Sequence, residues 1–364
     1  MGNCLKQRKL QIKSQCTHDQ VTAAQRSDSA HVNYIDASSP ELSVFDLEKL
    51  ESATGSFSDD HCVGRGSFGP VYSGFIESIE DDGASPAAVL PVAVKKINHC
   101  VFPGFAELLV GLNNVTGFSH PNLARLIGYC SESDQHLIVS EYLSKGSLDD
   151  HLYRKSSTYE SLTWGVRIQI ALGAANALAF LHSQQPPVTY MNLKSSNILL
   201  SHEYGAKLSI FGLVMGRHSY IVGSRASDYG KRGISNANKS DVYNFGIILL
   251  QILTGREVLD KEKKKGEQSL VEWAMPYLIE KRKMLQIMDN RIGGQNSKRC
   301  AYMVAMLAFY CLLNEEDHRP HMNAVVRVLE MAVCMIKLRE DHQIDMQITT
   351  VADSLESSLR PSLD

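Results

Sequence analysis

The longest predominantly apolar run in the chain extends from Ala301 to Leu313. It is too short for a bilayer, because a membrane-spanning helix needs about 20 apolar residues. The run therefore predicts a buried helix of a globular domain. Residues 17–40, by contrast, are polar and rich in Ser, Asp, Gln and Ala, a composition that cannot bury a core. This second stretch predicts a flexible linker ahead of a folded domain.

The overall composition fits one large domain with tails. The chain has 364 residues and a formal net charge of −3, so it lacks the basic excess that would indicate nucleic-acid binding. Its eight cysteines are scattered, and no two are spaced as C-x-x-C. This spacing argues against a zinc site and against the disulfide framework of a secreted protein.

A glycine-rich segment at 63–71 matches the pattern G-x-G-x-x-G-x-V in full. Glycines at this spacing allow a β-hairpin to approach phosphate groups, with backbone N–H groups as donors. Alone the match is weak, since a surface turn can have the same composition. A short strand-like stretch follows at 92–95 and ends in Lys95, as the V-A-I-K motif requires.

Further motifs follow in the order in which protein kinases carry them. They are a hinge-like stretch at 137–142, a predicted helix start at 239–246 and the pair Arg319-Pro320. Four short stretches are typical of one particular group of protein kinases, namely 45–48, 120–123, 146–148 and 197–200. Over roughly residues 41–335 the chain resembles the plant receptor-like cytoplasmic kinases. The resemblance implies an α+β, two-lobed protein-kinase-like fold, with a small β-rich N-lobe and a large helical C-lobe.

The catalytic loop departs from the family pattern H-R-D-x-x-x-x-N. Asn192 stands in place of the catalytic Asp, whereas Lys194 and Asn197 keep their expected positions. A neutral amide can orient a hydroxyl but cannot accept its proton, and loss of a general base costs about 10²–10⁴-fold in rate. Ile210 stands in place of the metal-binding Asp of D-F-G, and its alkyl chain offers magnesium no oxygen.

The helix of the small lobe also lacks an expected acid. In the family a Glu of this helix pairs with the strand Lys, here Lys95, and counting back from His120 places that Glu at Gly111. Glu107 lies one helical turn earlier on the same face and could reach Lys95 if the helix shifts. The interpretation we favour is a Lys95 that is free or differently paired.

Two positions that would control the activation segment differ from the family pattern. Met191 replaces the catalytic-loop Arg, and its thioether cannot hold a phosphorylated loop. The A-P-E motif has become the stretch 226–228, in which Asp228 keeps a carboxylate for pairing with Arg319. These differences predict that control by activation-loop phosphorylation is lost.

We expect at most weak ATP binding, without normal magnesium coordination and with no metal site. The residues expected to hold the nucleotide are Gly64, Gly66, Ser67, Phe68, Gly69, Val71, Lys95 and Asn197.

The N-terminus carries separate signals. Gly2 is available for myristoylation and Cys4 for palmitoylation, although Lys6 departs from the usual Ser or Thr of the motif. The first 16 residues contain no acidic residue, and one acyl chain binds a membrane only marginally without a second signal. The basic residues that could supply it are Lys6, Arg8, Lys9 and Lys13. We expect a lipid anchor at the cytoplasmic face of the plasma membrane; the alternative is a plain soluble tail.

The predicted organisation is a lipidated basic anchor at 1–16, a linker at 17–40, an N-terminal extension at 41–57, a protein kinase-like domain at 58–335 and a C-terminal tail at 336–364. The first function hypothesis is a membrane-anchored pseudokinase that acts as a scaffold or adaptor in receptor-linked, plant immune signalling. The alternative is a weak or unconventional ATP-dependent serine/threonine kinase. The resemblance implies partners among receptor kinases, active receptor-like cytoplasmic kinases or nucleotide-binding immune receptors.

Overall fold

The first lobe is organised around one β-sheet, whose central strands each contain four consecutive buried residues. A computed structural model of the chain describes residues 42–66, 68–77, 89–98, 112, 115–132, 134–153, 161–213, 233–280, 282–292 and 298–338. Its strands are β1 (Ser43–Val44), β2 (Cys62–Gly66), β3 (Gly69–Glu77), β4 (Val89–Lys96), β5 (Leu126–Glu132) and β6 (Gln135–Glu141). In this described part they form one six-stranded sheet in the order β1-β5-β6-β4-β3-β2. Neighbouring strands are antiparallel except β1 and β5.

The predicted N-terminal extension packs as part of this lobe. The strand β1 adds to β5, and the helix α1 (Leu47–Ala53) follows it. Phe45 and Leu50 are buried in one apolar cluster with Val92 and Val94 of β4. Residues of the predicted N-terminal extension (41–57) and of the predicted kinase-like domain (58–335) therefore share one small core.

The second lobe consists mainly of helices around a large apolar core. The helices are α2 (Leu148–Tyr153), α3 (Trp164–His182), α4 (Gly233–Thr254), α5 (Leu270–Ile279), α6 (Lys298–Cys311) and α7 (322–338), and a hairpin joins β7 (Ile198–Leu200) to β8 (Ala206–Leu208). The two-lobed α+β fold expected from the sequence is thus confirmed. The buried helix predicted from the apolar run corresponds to α6. The predicted helix start at 239 is wrong, because α4 begins at Gly233.

Local sequence explains where two of the helices begin. Thr163 precedes α3, and its side chain accepts a hydrogen bond from the backbone N–H of Val166. Ser269 does the same for Glu272 at the start of α5. Both are N-cap residues, which satisfy N–H groups that have no partner within the helix.

By length and composition α3 could also span a membrane, but 61% of its most apolar window is buried inside the protein, as in a core helix.

Candidate functional site

The glycine-rich segment forms the hairpin between β2 and β3, as its sequence predicts. Gly66 pairs with Gly69 across the hairpin, and Gly64 pairs with Val71. Gly69 has a φ of +125°, and a Cβ atom there would collide with the carbonyl oxygen of Lys96, so this position requires glycine. A Cβ at Gly64, in contrast, would meet nothing within 4 Å. The loop therefore borders open space.

Lys95 lies on β4 directly beneath this loop and is only 7% exposed. Its Nζ donates to the carbonyl oxygen of Gly69 at 3.4 Å and lies 5.7 Å from the centre of the Phe211 ring. No carboxylate among the described residues pairs with it. Burial, assisted by the positive charge of Lys194, lowers the pKa of Lys95 to about 8.

Asp241 at the core of α4 holds the backbone of the catalytic loop. Its carboxylate accepts hydrogen bonds from the N–H groups of Tyr190 at 2.7 Å and Met191 at 2.9 Å. His182 Nε2 lies 2.9 Å from the same carboxylate. Asp241 therefore has a structural role, since it fixes the backbone of the catalytic loop. Met191 has a φ of +65°, which is unusual for a residue with a side chain and which these bonds help to maintain.

Tyr190 joins the catalytic loop to the segment that follows β8. Its hydroxyl donates to the carbonyl oxygen of Ser209 at 2.7 Å, and complete burial raises its pKa well above the usual value. A Cβ atom at Gly212 would overlap the Tyr190 hydroxyl. The glycine that follows Phe211 is therefore required by packing against Tyr190.

The three predicted positions of the catalytic loop lie on one short segment. Ser195–Asn197 form a 3₁₀ turn that follows directly after Lys194. The side-chain Nδ2 of Asn197 donates to the backbone oxygen of Asn192 at 2.7 Å. Lys194 is exposed, whereas Asn192 and Asn197 are half-buried. The structure thus brings these residues together with a neutral amide where a proton acceptor would be needed.

Ile210 is a core residue. It is 2% exposed, and Phe211 beside it is 8% exposed, within the large apolar cluster. Residues 210–213 are helical, and the N–H groups of Gly212 and Leu213 both donate to the carbonyl oxygen of Ser209. Phe211 therefore packs in the core beside Ile210.

The described residues do not fit a magnesium ion. Magnesium requires oxygen ligands in near-octahedral geometry. Ile210 has none, and Asn197 offers only its side-chain carbonyl. In the part of the chain that the structure describes, no group of three or more His, Cys, Asp or Glu side chains could hold a metal.

Comparison with known proteins places this geometry in a family. A family model described as protein tyrosine and serine/threonine kinase matches residues 57–329. The chain belongs to this protein kinase family.

Its relatives include plant receptor-like cytoplasmic kinases. The chain is 43% identical over 300 residues to the Probable serine/threonine-protein kinase PBL11 of Arabidopsis thaliana, over 79% of this chain and 77% of that protein. It is 41% identical over 332 residues to the Serine/threonine-protein kinase BIK1 of the same plant, over 88% of this chain and 82% of the relative. Receptor-like cytoplasmic kinase 176 of Oryza sativa subsp. japonica is 42% identical over 304 residues, over 79% and 76% of the two chains.

The kinase fold also uses contacts that sequence motifs do not identify. Ser195 Oγ donates to Asp149 at 2.6 Å and accepts from Gln251 Nε2 at 3.2 Å, which ties the catalytic loop to α2 and α4. Lys207 on β8 binds both carboxylate oxygens of Glu141, at 2.8 and 2.9 Å, at the end of β6. These pairs are far apart in the sequence, and nothing in its local pattern signals them.

Several of the predicted site positions lie outside the described residues. They are Gly2, Cys4, Ser67, Glu107, Gly111 and Asp228. Arg319, the proposed partner of Asp228, donates from Nε to the carbonyl oxygen of Leu313 and from Nη1 to that of Lys239. Lipidation, pairing by Glu107 and the Asp228–Arg319 pair stay predictions.

Proposed function

We propose that this protein is a pseudokinase, a kinase fold that binds partner proteins and does not transfer phosphate at a significant rate. The observation that carries the proposal is the buried Ile210, which occupies the metal-binding position with an alkyl side chain inside the core. Asn192 removes the proton acceptor at the same time. The general base and the metal ligand both act in the phosphate-transfer step. Without them, only the positioning of the two substrates would lower the activation barrier of that step.

Family membership implies ATP binding, and the remaining residues support a weak, metal-independent form of it. Backbone N–H groups around Gly64, Gly66 and Gly69 are suited to donate hydrogen bonds to phosphate oxygens. Lys95 supplies a cation beneath them, although its lowered pKa of about 8 reduces its charge in mildly alkaline solution. Magnesium would ordinarily accompany the phosphates, and of the two positions expected to hold it, 210 and 197, only Asn197 offers a side-chain oxygen.

A direct assay tests the absence of phosphotransfer. Purified full-length protein would be incubated with radiolabelled ATP and magnesium or manganese, alone and with a generic protein substrate. We expect no incorporation above that of the Lys95→Met variant. Incorporation that disappears in Lys95→Met would sink the proposal, because it would show chemistry that depends on this nucleotide site.

The second candidate function is a weak or unconventional serine/threonine kinase. Taken by themselves, the comparisons favour it, since the relatives named above are called kinases. Lys194, Asn197 and the glycine-rich loop are also retained. A variant that combines Asn192→Asp with Ile210→Asp serves as the reference. Wild-type activity comparable to that variant would favour the second candidate.

The proposal includes a place of action and a class of partner. Gly2, Cys4 and the basic residues beside them support anchoring at the inner face of the plasma membrane. Membership among receptor-like cytoplasmic kinases supports partners in receptor-linked immune signalling, such as receptor kinases, active cytoplasmic kinases or nucleotide-binding immune receptors. A module that cannot transfer phosphate would act there through its surface.

A further inference from the structure

A cavity of about 410 Å³ lies where the end of α3, the first half of α4 and the start of α7 meet. This volume falls within the range of about 300–1,000 Å³ that is usual for sites that bind small molecules. One wall carries Asn238, Lys239 and Val242, which lie within about one turn of α4. None of the residues expected to hold the nucleotide lines this cavity, so it is a separate site.

Lys239 brings a positive charge to the wall of the cavity. The residue is only 7% exposed, and its Nζ donates to the carbonyl oxygen of Arg319. No carboxylate among the described residues forms a salt bridge with it. An ammonium group has three N–H donors, and a buried charge without a counter-ion is costly. An anion in the cavity would supply the missing counter-charge.

Further hydrogen-bond donors line the same cavity. The side-chain oxygen of Asn238 accepts from Thr189 Oγ1 at 2.6 Å, which leaves the Nδ2 group of Asn238 without an acceptor among the described residues. Met322 and Asn323 are the first residues of α7, and their backbone N–H groups have no acceptor within that helix. Since the N-terminus of a helix favours anions, these groups add to the effect of the Lys239 charge.

No acid among the described residues competes for these donors. None of the residues that line the cavity is acidic. Asp241 is fully buried, and its carboxylate is already bound by two N–H groups of the catalytic loop and lies 2.9 Å from His182 Nε2. At the end of α3, the carbonyl oxygen of Phe180 accepts from Ser183 Oγ at 2.7 Å and from Gln184 Nε2 at 2.8 Å. A negatively charged ligand would therefore face donors in this cavity.

Most of the surface of the cavity is apolar, and Ala179, Val242 and Met322 contribute to it. We propose that this cavity binds small carboxylic acids that carry an aromatic or other apolar body. Lys239 and Asn238 bind the carboxylate, and the apolar body lies against Ala179 and Val242. Charge-assisted hydrogen bonds and burial of apolar surface both contribute to the affinity. The inference goes beyond the proposed function and does not depend on whether the protein transfers phosphate.

A saturation-transfer difference NMR titration of the full-length protein with benzoate at pH 7 tests the proposal. Benzamide is the matched neutral control, since it has nearly the same shape. We expect saturable binding of benzoate, at least about tenfold tighter than that of benzamide, because the amide forms no charge-assisted hydrogen bond with Lys239. Acetate, which has no ring, should compete with benzoate only at much higher concentration.

Three variants locate the binding site. Asn238→Asp keeps an acceptor for Thr189 but adds a negative charge, so it should weaken the binding of benzoate at least about tenfold. Ala179→Phe should fill the cavity and abolish binding. Lys298→Met, which removes an exposed lysine of α6 outside the cavity, should bind benzoate as the wild type does. Circular dichroism of each variant separates a loss of binding from a loss of folding.

Several results would overturn the inference. They are the absence of saturable benzoate binding, equal affinities for benzoate and benzamide, and unchanged binding in folded Asn238→Asp or Ala179→Phe protein. Competition by acetate at the same concentration as benzoate would also overturn it, because the apolar wall would then contribute nothing. The phosphotransfer assay is independent of all these measurements, so either proposal can fail while the other stands.

Discussion

The Nζ atom of Lys95 lies over the ring of Phe211, 5.7 Å from its centre. The two residues come from different lobes, β4 and the helical turn after β8. A cation–π contact contributes about 0.5–2 kcal/mol, less than the cost of burying an unpaired ammonium group. The pair therefore joins the lobes at the nucleotide site while leaving the Lys95 charge unfavourable.

We predict that Lys95→Met stabilises the protein at neutral pH. The pKa of Lys95 falls from 10.5 to about 8 on folding, so the buried charge costs on the order of 3 kcal/mol. Methionine removes the charge and keeps an unbranched side chain. Urea denaturation at pH 7 should show a gain on the order of 1–3 kcal/mol.

The pH dependence of this gain has a definite sign. Below about pH 8 both states of the wild type carry the proton, and the full cost is present. Between about pH 8 and 10.5 the folded state releases the proton while the unfolded state keeps it, so wild-type stability rises and the advantage of the variant narrows. Lys96→Met, the neighbouring control, should show no such trend. An equal stability of wild type and Lys95→Met at pH 7 would contradict the prediction.

The variant Ile210→Asp should unfold at a lower temperature than the wild type. The side chain at this position is 2% exposed within the apolar core, so a carboxylate there would be desolvated at a cost of roughly 3 kcal/mol or more. The conservative variant Ile210→Leu should lose less than about 1.5 kcal/mol. Differential scanning fluorimetry can compare the two.

The same variant tests the metal dependence of nucleotide binding. Wild-type protein should give a small thermal shift with ATP that magnesium does not increase. In Ile210→Asp, magnesium should enlarge the ATP-induced shift, because a carboxylate supplies the missing ligand. A strong magnesium dependence in the wild type would show that the metal finds ligands elsewhere.

Gly212→Ala should be strongly destabilising, and Tyr190→Phe should partly rescue it. The added methyl group would overlap the Tyr190 hydroxyl and approach the ring carbon Cζ to 2.8 Å. Removal of the hydroxyl relieves the closest overlap but leaves the carbonyl oxygen of Ser209 without its donor. A double-mutant cycle should therefore give a favourable coupling on the order of 1–3 kcal/mol. Strictly additive effects would mean that the two side chains do not meet as described.

Gly2→Ala should release the protein from the membrane into the cytosol, since a single acyl chain supplies the first anchoring signal. Cys4→Ser should give a partial loss, because each basic residue near anionic lipid contributes about 1 kcal/mol. Membrane fractions of tagged wild type and both variants in plant cells give the measurement. If Gly2→Ala remains at the membrane as fully as wild type, a partner protein holds it there instead.

Much of the site could be predicted because side-chain chemistry depends on residue identity. Isoleucine at 210 cannot bind magnesium, and asparagine at 192 cannot act as a general base, whatever their surroundings. The order of the motifs also sufficed for the fold, since hairpin, strand, hinge and catalytic loop each have a local pattern. The position of a helix start did not follow in the same way, since the stretch at 239–246 lies inside α4 (Gly233–Thr254).

The sequence by itself determined the fold, the family and the residue types that stand at the catalytic-loop and metal-binding positions. Only the tertiary structure decided which neighbours the side chains of the site contact. That Ile210 is a core residue, that Lys95 faces Phe211 and Lys194, and that Gly212 lies under the Tyr190 hydroxyl all depend on contacts between segments distant in sequence. Desolvation and steric overlap depend on every neighbour at once, and local sequence patterns do not encode those neighbours.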